Sequence, residues 1–302
     1  MAKPMPKRRL ENVGLTVTGA CIVLVAAVVV ALIFMVFQKG LSTFFVDGVN
    51  LWEFLTGTTW NLAVTGADGL PYTGALPLIV TSFSVTVLAT VMSVPVSIAA
   101  AIFAVEIQPK FGQKIFQPII ELLTGIPSVV FGLIGYHVVS SAMKTLFGSA
   151  TGLGILPASI VLAIMILPTI TTLSIDALRA VPNEYRDGSL ALGYTRWQTI
   201  WHVVLKSALP SLLTAVILGM TRAFGETLAV RMVIGGVEVM PTSLLSSAST
   251  LTTTITTSMA VYATGSVQND VLWSLAMILL GMSLIFILLI HLIGHQGAKS
   301  RG

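Results

Sequence analysis

Charge is scarce in this chain. Of 302 residues, 16 are Lys or Arg and 12 are Asp or Glu, together 9%, where a soluble domain carries roughly 25%. That excludes an ordinary water-soluble fold. Cysteine is nearly absent too: Cys21 stands alone, which rules out a disulfide framework and a cysteine metal site. The four histidines, His137, His202, His291 and His295, fall in separate segments. Their spacing matches no metal site, and neither a metal nor another cofactor is expected. The phosphate-cradling pattern G-x-x-x-x-G-K-[ST] does not occur, so the chain has no seat for nucleotide hydrolysis. A formal charge of +4 does not indicate nucleic acid, because the basic residues are spread along the chain rather than gathered in a patch.

What the chain has is apolar surface: 55% hydrophobic residues and a mean hydropathy of +0.94. These values define an all-α integral membrane protein. A window of about 20 apolar residues crosses the hydrocarbon, and six are expected, near 13–37, 76–104, 118–146, 155–175, 209–234 and 271–294. The first follows "KPMPKRR" but is longer than a signal-peptide core and lacks an A-x-A cleavage site, so it reads as a retained span. With a cytoplasmic N-terminus at 1–12 and a cytoplasmic tail at 295–302, twelve Lys and Arg residues (Lys3, Lys7, Arg8, Arg9, Lys110, Lys114, Arg179, Arg186, Arg196, Lys206, Lys299, Arg301) lie inside. Only Lys39 and Lys144 lie outside. That bias orients the chain. Residues 38–75 form an external, partly irregular segment. Residues 241–260 form either a short interfacial helix or a solvated Ser/Thr loop.

The connection between the fourth and fifth spans, "RAVPNEYRDGSLALGYTRWQTIWHVVLKSALPSLL", is too apolar for a free tail and too charged for a span. Pro182 suits a helix start, and Gly193 suits a helix end in the left-handed region. Thr195 with Gln198 gives a capping box for a second helix, on which Trp197, Ile200, Trp201 and Val204 share a stripe. A helix pair with an apolar face is a docking element. The stretch resembles the EAA loop of ABC-importer membrane subunits. Asp187, Gly188 and Ser189 stand at E-A-A and Gly193 at the pattern's glycine, while Lys206 departs from its proline. The resemblance implies a type I importer permease (MetI-like) fold with a core over 76–294 and a coupling loop over 179–208 that seats a separate ATPase. Trp197 and Trp201 serve there either as docking anchors or as membrane-interface anchors.

Two further stretches resemble phosphate-importer permeases: "IELLTGIPSVVFGLIG", residues 120–135, and "TRAFGETLAV", residues 221–230. The second is closer to the PstC-type subunit than to its PstA-type companion. The resemblance implies a second homologous permease, two copies of an ATP-binding subunit, an external phosphate-binding protein, and a bacterial inner-membrane location. Independently, Arg222 and Glu226 are four apart and share a face on a continuous helix. Charge in a membrane span costs roughly 2.5–3.5 kcal/mol and normally faces a bundle interior or a cavity. An arginine fork suits a tetrahedral oxyanion. A carboxylate suits only one that still carries a proton, which favours hydrogen phosphate over sulfate. A mere ion pair between helices is the bland alternative. Arg231, nearer the outer surface, either guides the anion or reaches to headgroups. Glu121 is either an interhelical partner or a gate contact. Gly125, Pro127 and Ser128 mark a break in the third span, because Pro127 lacks an amide donor and pushes Ile126 out of helical geometry. Such a break lines a path or is a simple kink. The alternatives are another oxyanion such as sulfate or molybdate, a lone secondary transporter, and a membrane enzyme with Glu226 as acid or base.

Overall fold

In a computed structural model the backbone is described for residues 7–66 and 69–299, and side chains for 14–66 and 69–288. The outermost parts of the expected tails, residues 1–6 and 300–302 with Lys3 and Arg301, lie outside the described residues. Six helices are long and apolar enough to cross a bilayer: Gly14–Phe45, Leu76–Ile107, Ser128–Phe147, Ile155–Arg179, Arg196–Phe224 and Val267–Leu288. They are called here the first to sixth spans. The chain is a multi-pass, all-α membrane protein with one small hairpin.

The fourth span is the axis of the fold, because its side chains are the most thoroughly buried. Leu162, Ile166 and Ile170 on it pack with Val85 and Ala89 of the second span and Ala223 of the fifth. The hydroxyl of Ser97 donates to the Leu167 carbonyl across the second and fourth spans at 3.2 Å. That carbonyl lies one residue before Pro168. The first span is different. Its apolar stretch is unburied, and it meets the sixth span toward its C-terminal end. There Ser274 of the sixth span donates to the Gly40 carbonyl at 2.7 Å and meets the Thr43 hydroxyl at 2.8 Å.

The segment expected to be partly irregular has regular structure. Helix Leu51–Thr56, capped by Asn50, is followed by antiparallel strands Trp60–Thr65 and Pro71–Thr73. Phe54, Trp60 and Leu62 bury against Leu78, Leu251 and Leu272, so the hairpin sits on the ends of the second and sixth spans. Residues 251–258 take the helical of the two expected forms. They form a buried helix, Leu251–Ser258, with Leu251, Thr252, Thr253 and Thr254 all enclosed. A Thr-rich helix can be buried because each hydroxyl finds a partner. Thr250 caps the helix with Thr253, Ser249 bonds Thr253 and Thr254 at 2.9 Å each, and Thr256 and Thr257 return to carbonyls one turn back.

Two spans are interrupted. The third is interrupted at the expected place: helix Gln117–Thr124 stops, Pro127 is extended (φ −58, ψ 140), and a new helix starts at Ser128. The fifth was expected over 209–234 as one helix. It instead begins in the connection, at Arg196, runs through a wide turn at Ile200–Val204, and ends at Phe224. A separate short helix, Leu228–Ile234, follows. The apolar stripe of Trp197, Ile200, Trp201 and Val204 is thus the start of a span, not a free-standing second arm.

Candidate functional site

The helices that follow the breaks in the third and fifth spans pack together. Helix Ser128–Ile134 lies against helix Leu228–Ile234 with Gly132 at the contact. A Cβ there would stand 2.7 Å from the Met232 sulfur and 3.0 Å from the Ala229 Cα. Only glycine allows that approach. Gly125 closes the preceding helix with a tight bond to the Leu122 carbonyl, 3.1 Å, and Ile126 bonds Leu123 at 3.4 Å. Gly125, Pro127 and Ser128 form a helix break, with Gly125 and Pro127 exposed.

In that second break the expected geometry is corrected. Arg222 ends the long helix, whereas Glu226 and Thr227 lie in the gap between helices. They do not share one face of one helix, and they form no ion pair. Among the described residues one pair lies within 4.0 Å, Arg186–Glu106. Arg222 donates from Nη1 to the Thr169 hydroxyl at 2.6 Å, on the fourth span just past Pro168. Glu226 makes its own, separate contacts. Its Oε1 accepts from the Ala229 amide at 3.0 Å, and its carbonyl accepts from the Thr252 hydroxyl at 3.1 Å. The side chain borders a recess of about 10 Å³ with Ser82, Thr86, Thr250 and Thr252, roughly room for one water. The break has a local cause. Gly225 is a poor helix former, and the Glu226 carboxylate satisfies an amide that would otherwise be orphaned at the start of the next helix.

Arg231 is exposed and lies over Gly236. It also faces Glu238, a residue sequence reasoning missed. Burial raises the Glu238 carboxyl above its ordinary value, and the Thr254 hydroxyl and the Arg231 guanidinium pull it back. Its only signal in the sequence was a lone acid in the apolar run "GGVEVM". Glu121 is exposed and accepts from Gln117 of its own helix at 2.9 Å, while Arg179 of the fourth span donates to Gln117 at 3.0 Å.

The connection forms as its caps dictate. Helix Asn183–Ala191 ends at Gly193, whose φ is +88. The Thr195–Gln198 capping box is complete. Asp187 and Gly188 are exposed, as are Tyr185, Leu190, Leu192 and Tyr194, so the tip carries an uncovered apolar face. Ser189 is the exception among the E-A-A positions. It is buried, and its hydroxyl meets that of Thr199 at 2.8 Å, tying the short helix to the fifth span. Trp197 and Trp201 stack edge to face at 5.7 Å. They line an apolar groove of about 910 Å³ with Pro95, Ile98 and Phe103 of the second span and Lys206 of the fifth.

Residues 93–299 match the family described as binding-protein-dependent transport system inner membrane component. A probable ABC transporter permease protein of Bacillus subtilis, YqgH, is 48% identical over 290 residues, covering 96% of this chain and 93% of the relative. The phosphate transport system permease protein PstC 1 of Mycobacterium tuberculosis is 34% identical over 283 residues, covering 84% and 83%. Among solved structures, the MetNI methionine ABC transporter in an inward-facing conformation matches with 20% identity and a TM-score of 0.49, over 75% of this chain and 94% of that chain. With a family match over most of its length and six spans to go with it, this chain belongs to the binding-protein-dependent transport system inner membrane components, the permease subunits of ABC importers.

Proposed function

We propose that the chain is one of two permeases of an ATP-driven phosphate importer and forms half of its translocation path. The observation that carries this is the 34% identity to relatives named phosphate transport system permease protein PstC, sustained over 84% of the chain. The chemistry of the broken fifth span supports it. Arg222 has guanidinium nitrogens besides Nη1 with no partner among the described residues, and Glu226 uses one carboxylate oxygen for Ala229 and has a second oxygen to offer. Hydrogen phosphate accepts from the first and donates to the second. Sulfate, fully deprotonated, meets lone-pair repulsion at the carboxylate. Gly125, Pro127 and Ser128 line the same path from the third span, and Arg231, with Glu238, stands at its outer end.

Both termini lie in the cytoplasm, a placement the distribution of Lys and Arg supports, and the hairpin faces outward. Residues 76–294 form the permease core, and residues 179–208 the coupling loop. The exposed tip around Asp187, Gly188 and Leu192, with Gly193 fixing its turn, seats a cytoplasmic ATPase present in two copies. A second homologous permease completes the path, and an external phosphate-binding protein delivers the anion. Reconstitution tests the reading: proteoliposomes holding both permeases and the ATPase take up phosphate when ATP and the loaded binding protein are supplied. Uptake without ATP, or sulfate carried in preference to phosphate, contradicts it.

A further inference from the structure

The helix meant to dock an ATPase is held to the membrane core in an unusual way. Of its nine residues, Asn183–Ala191, only Ser189 is buried, while Tyr185 and Leu190 face outward. Apolar packing therefore supplies little of its attachment. Polar contacts supply the rest, and most of them converge on one side chain.

Arg186 turns inward from this helix, with only 17% of its side chain exposed. Its Nε donates to Glu106 Oε1 at 3.1 Å and its Nη2 to the same oxygen at 2.7 Å. Nη2 also donates to the Leu178 carbonyl at 2.9 Å, and Nη1 to the Val181 carbonyl at 2.6 Å. Leu178 belongs to the last turn of the fourth span, and its carbonyl also accepts from the Val181 amide at 3.4 Å. Glu106 sits in the wide turn Phe103–Ile107 that ends the second span and is 11% exposed. One planar guanidinium thus joins the docking helix to the ends of the two spans that form the centre of the molecule. A lysine ammonium has no fork with which to hold a carboxylate and two carbonyls at fixed angles. Beside the pair lies a cavity of about 210 Å³ bordered by Asp187, Leu190, Arg196 and Thr199, which leaves the helix room to shift.

We propose that the Arg186–Glu106 pair is the positioning element that transmits movement of the docking helix to the second and fourth spans. The proposal rests on the reading that this loop seats an ATPase. In it the Ser189–Thr199 contact links the helix to the fifth span, and Arg186 carries the displacement to the other two.

The test uses the complete transporter in proteoliposomes: both permeases, the ATPase and the binding protein. Three quantities are read: ATPase retained, stimulation of ATP hydrolysis by loaded binding protein, and phosphate moved per ATP. With Glu106→Gln or Arg186→Lys, the ATPase stays bound within about twofold, whereas phosphate moved per ATP falls about tenfold, the scale of one lost charge-assisted bond. Glu106→Asp, which keeps the carboxylate, restores most of the ratio. Variants that lower the melting temperature but leave phosphate per ATP unchanged overturn the proposal, because a merely structural pair behaves that way. Equal loss with Glu106→Asp and Glu106→Gln overturns it as well. If the unaltered complex holds no ATPase, the docking reading itself fails, an outcome visible before any variant is made.

Discussion

Glu226 has two jobs in this account, and they can be separated. One is structural: its Oε1 accepts from the Ala229 amide at 3.0 Å and so caps helix Leu228–Ile234. The other is chemical: its carboxylate accepts a hydrogen bond from the P–O–H of hydrogen phosphate. Glu226→Gln keeps an oxygen acceptor at the same reach, so the cap survives and stability changes by no more than about 0.5 kcal/mol, the lost charge–dipole part. Glu226→Ala removes the cap and costs about 1 kcal/mol. Both lose the charged acceptor for phosphate, worth roughly 1.5–3 kcal/mol, or about 10- to 100-fold in transport at about 1.4 kcal/mol per decade. The assay is ATP-driven uptake of phosphate and sulfate in proteoliposomes, set beside the melting temperature in detergent. Glu226→Gln is expected to melt with the unaltered protein yet lose most phosphate uptake and its preference over sulfate. If it transports phosphate at the original rate with the original preference, the carboxylate only caps a helix and the proposed selectivity is wrong.

Three other outcomes follow from particular contacts. Gly132→Val places a side chain where the Ala229 Cα would lie 3.0 Å from its Cβ. Such overpacking costs about 1–3 kcal/mol, and the melting temperature in detergent should fall by several degrees. Gly193→Ala forces a residue with a Cβ to φ +88, at about 1–2 kcal/mol, so amide exchange across residues 183–195 should quicken about tenfold or more. Asp47 behaves differently with pH. Burial, and then the neighbouring Asp270 carboxylate, raise its carboxyl above the ordinary 3.8, so the folded protein keeps this proton to higher pH than the unfolded chain. Its contribution is therefore most favourable at and below the ordinary value and declines as pH rises through the raised one. Asp47→Asn should flatten that part of a melting profile and gain stability at neutral pH, whereas an unchanged profile removes Asp47 as its source.

The spans were legible because apolar length is a property of composition alone. So was the break at residues 124–128, since Pro127 cannot donate and restricts Ile126. The break at Gly225–Thr227 was not. "RAFGETLAV" has helical spacing throughout, and the decisive term is a bond from the Glu226 side chain to an amide three residues on, which no periodicity reports. The burial of helix Leu251–Ser258 was hidden for a related reason. Its threonines look solvated until their partners in three dimensions, such as the Ser82 hydroxyl that accepts from the Leu251 amide at 2.8 Å, are known. The docking helix followed from local caps at Gly193 and Thr195. Its attachment through Arg186 did not, because Glu106 lies 80 residues earlier.

The central claim is that the anion passes the break in the fifth span. Gly225 offers a direct probe. Its φ is −83, and an added Cβ would meet nothing nearer than 3.9 Å. In a Cys21→Ala background, Gly225→Cys gives the assembled transporter a single thiol in this chain at that point. The account predicts that a charged, membrane-impermeant thiol reagent labels it during ATP turnover, and that phosphate slows the labelling where sulfate does not. Labelling indifferent to phosphate, or achieved only by reagents that dissolve in lipid, would contradict it.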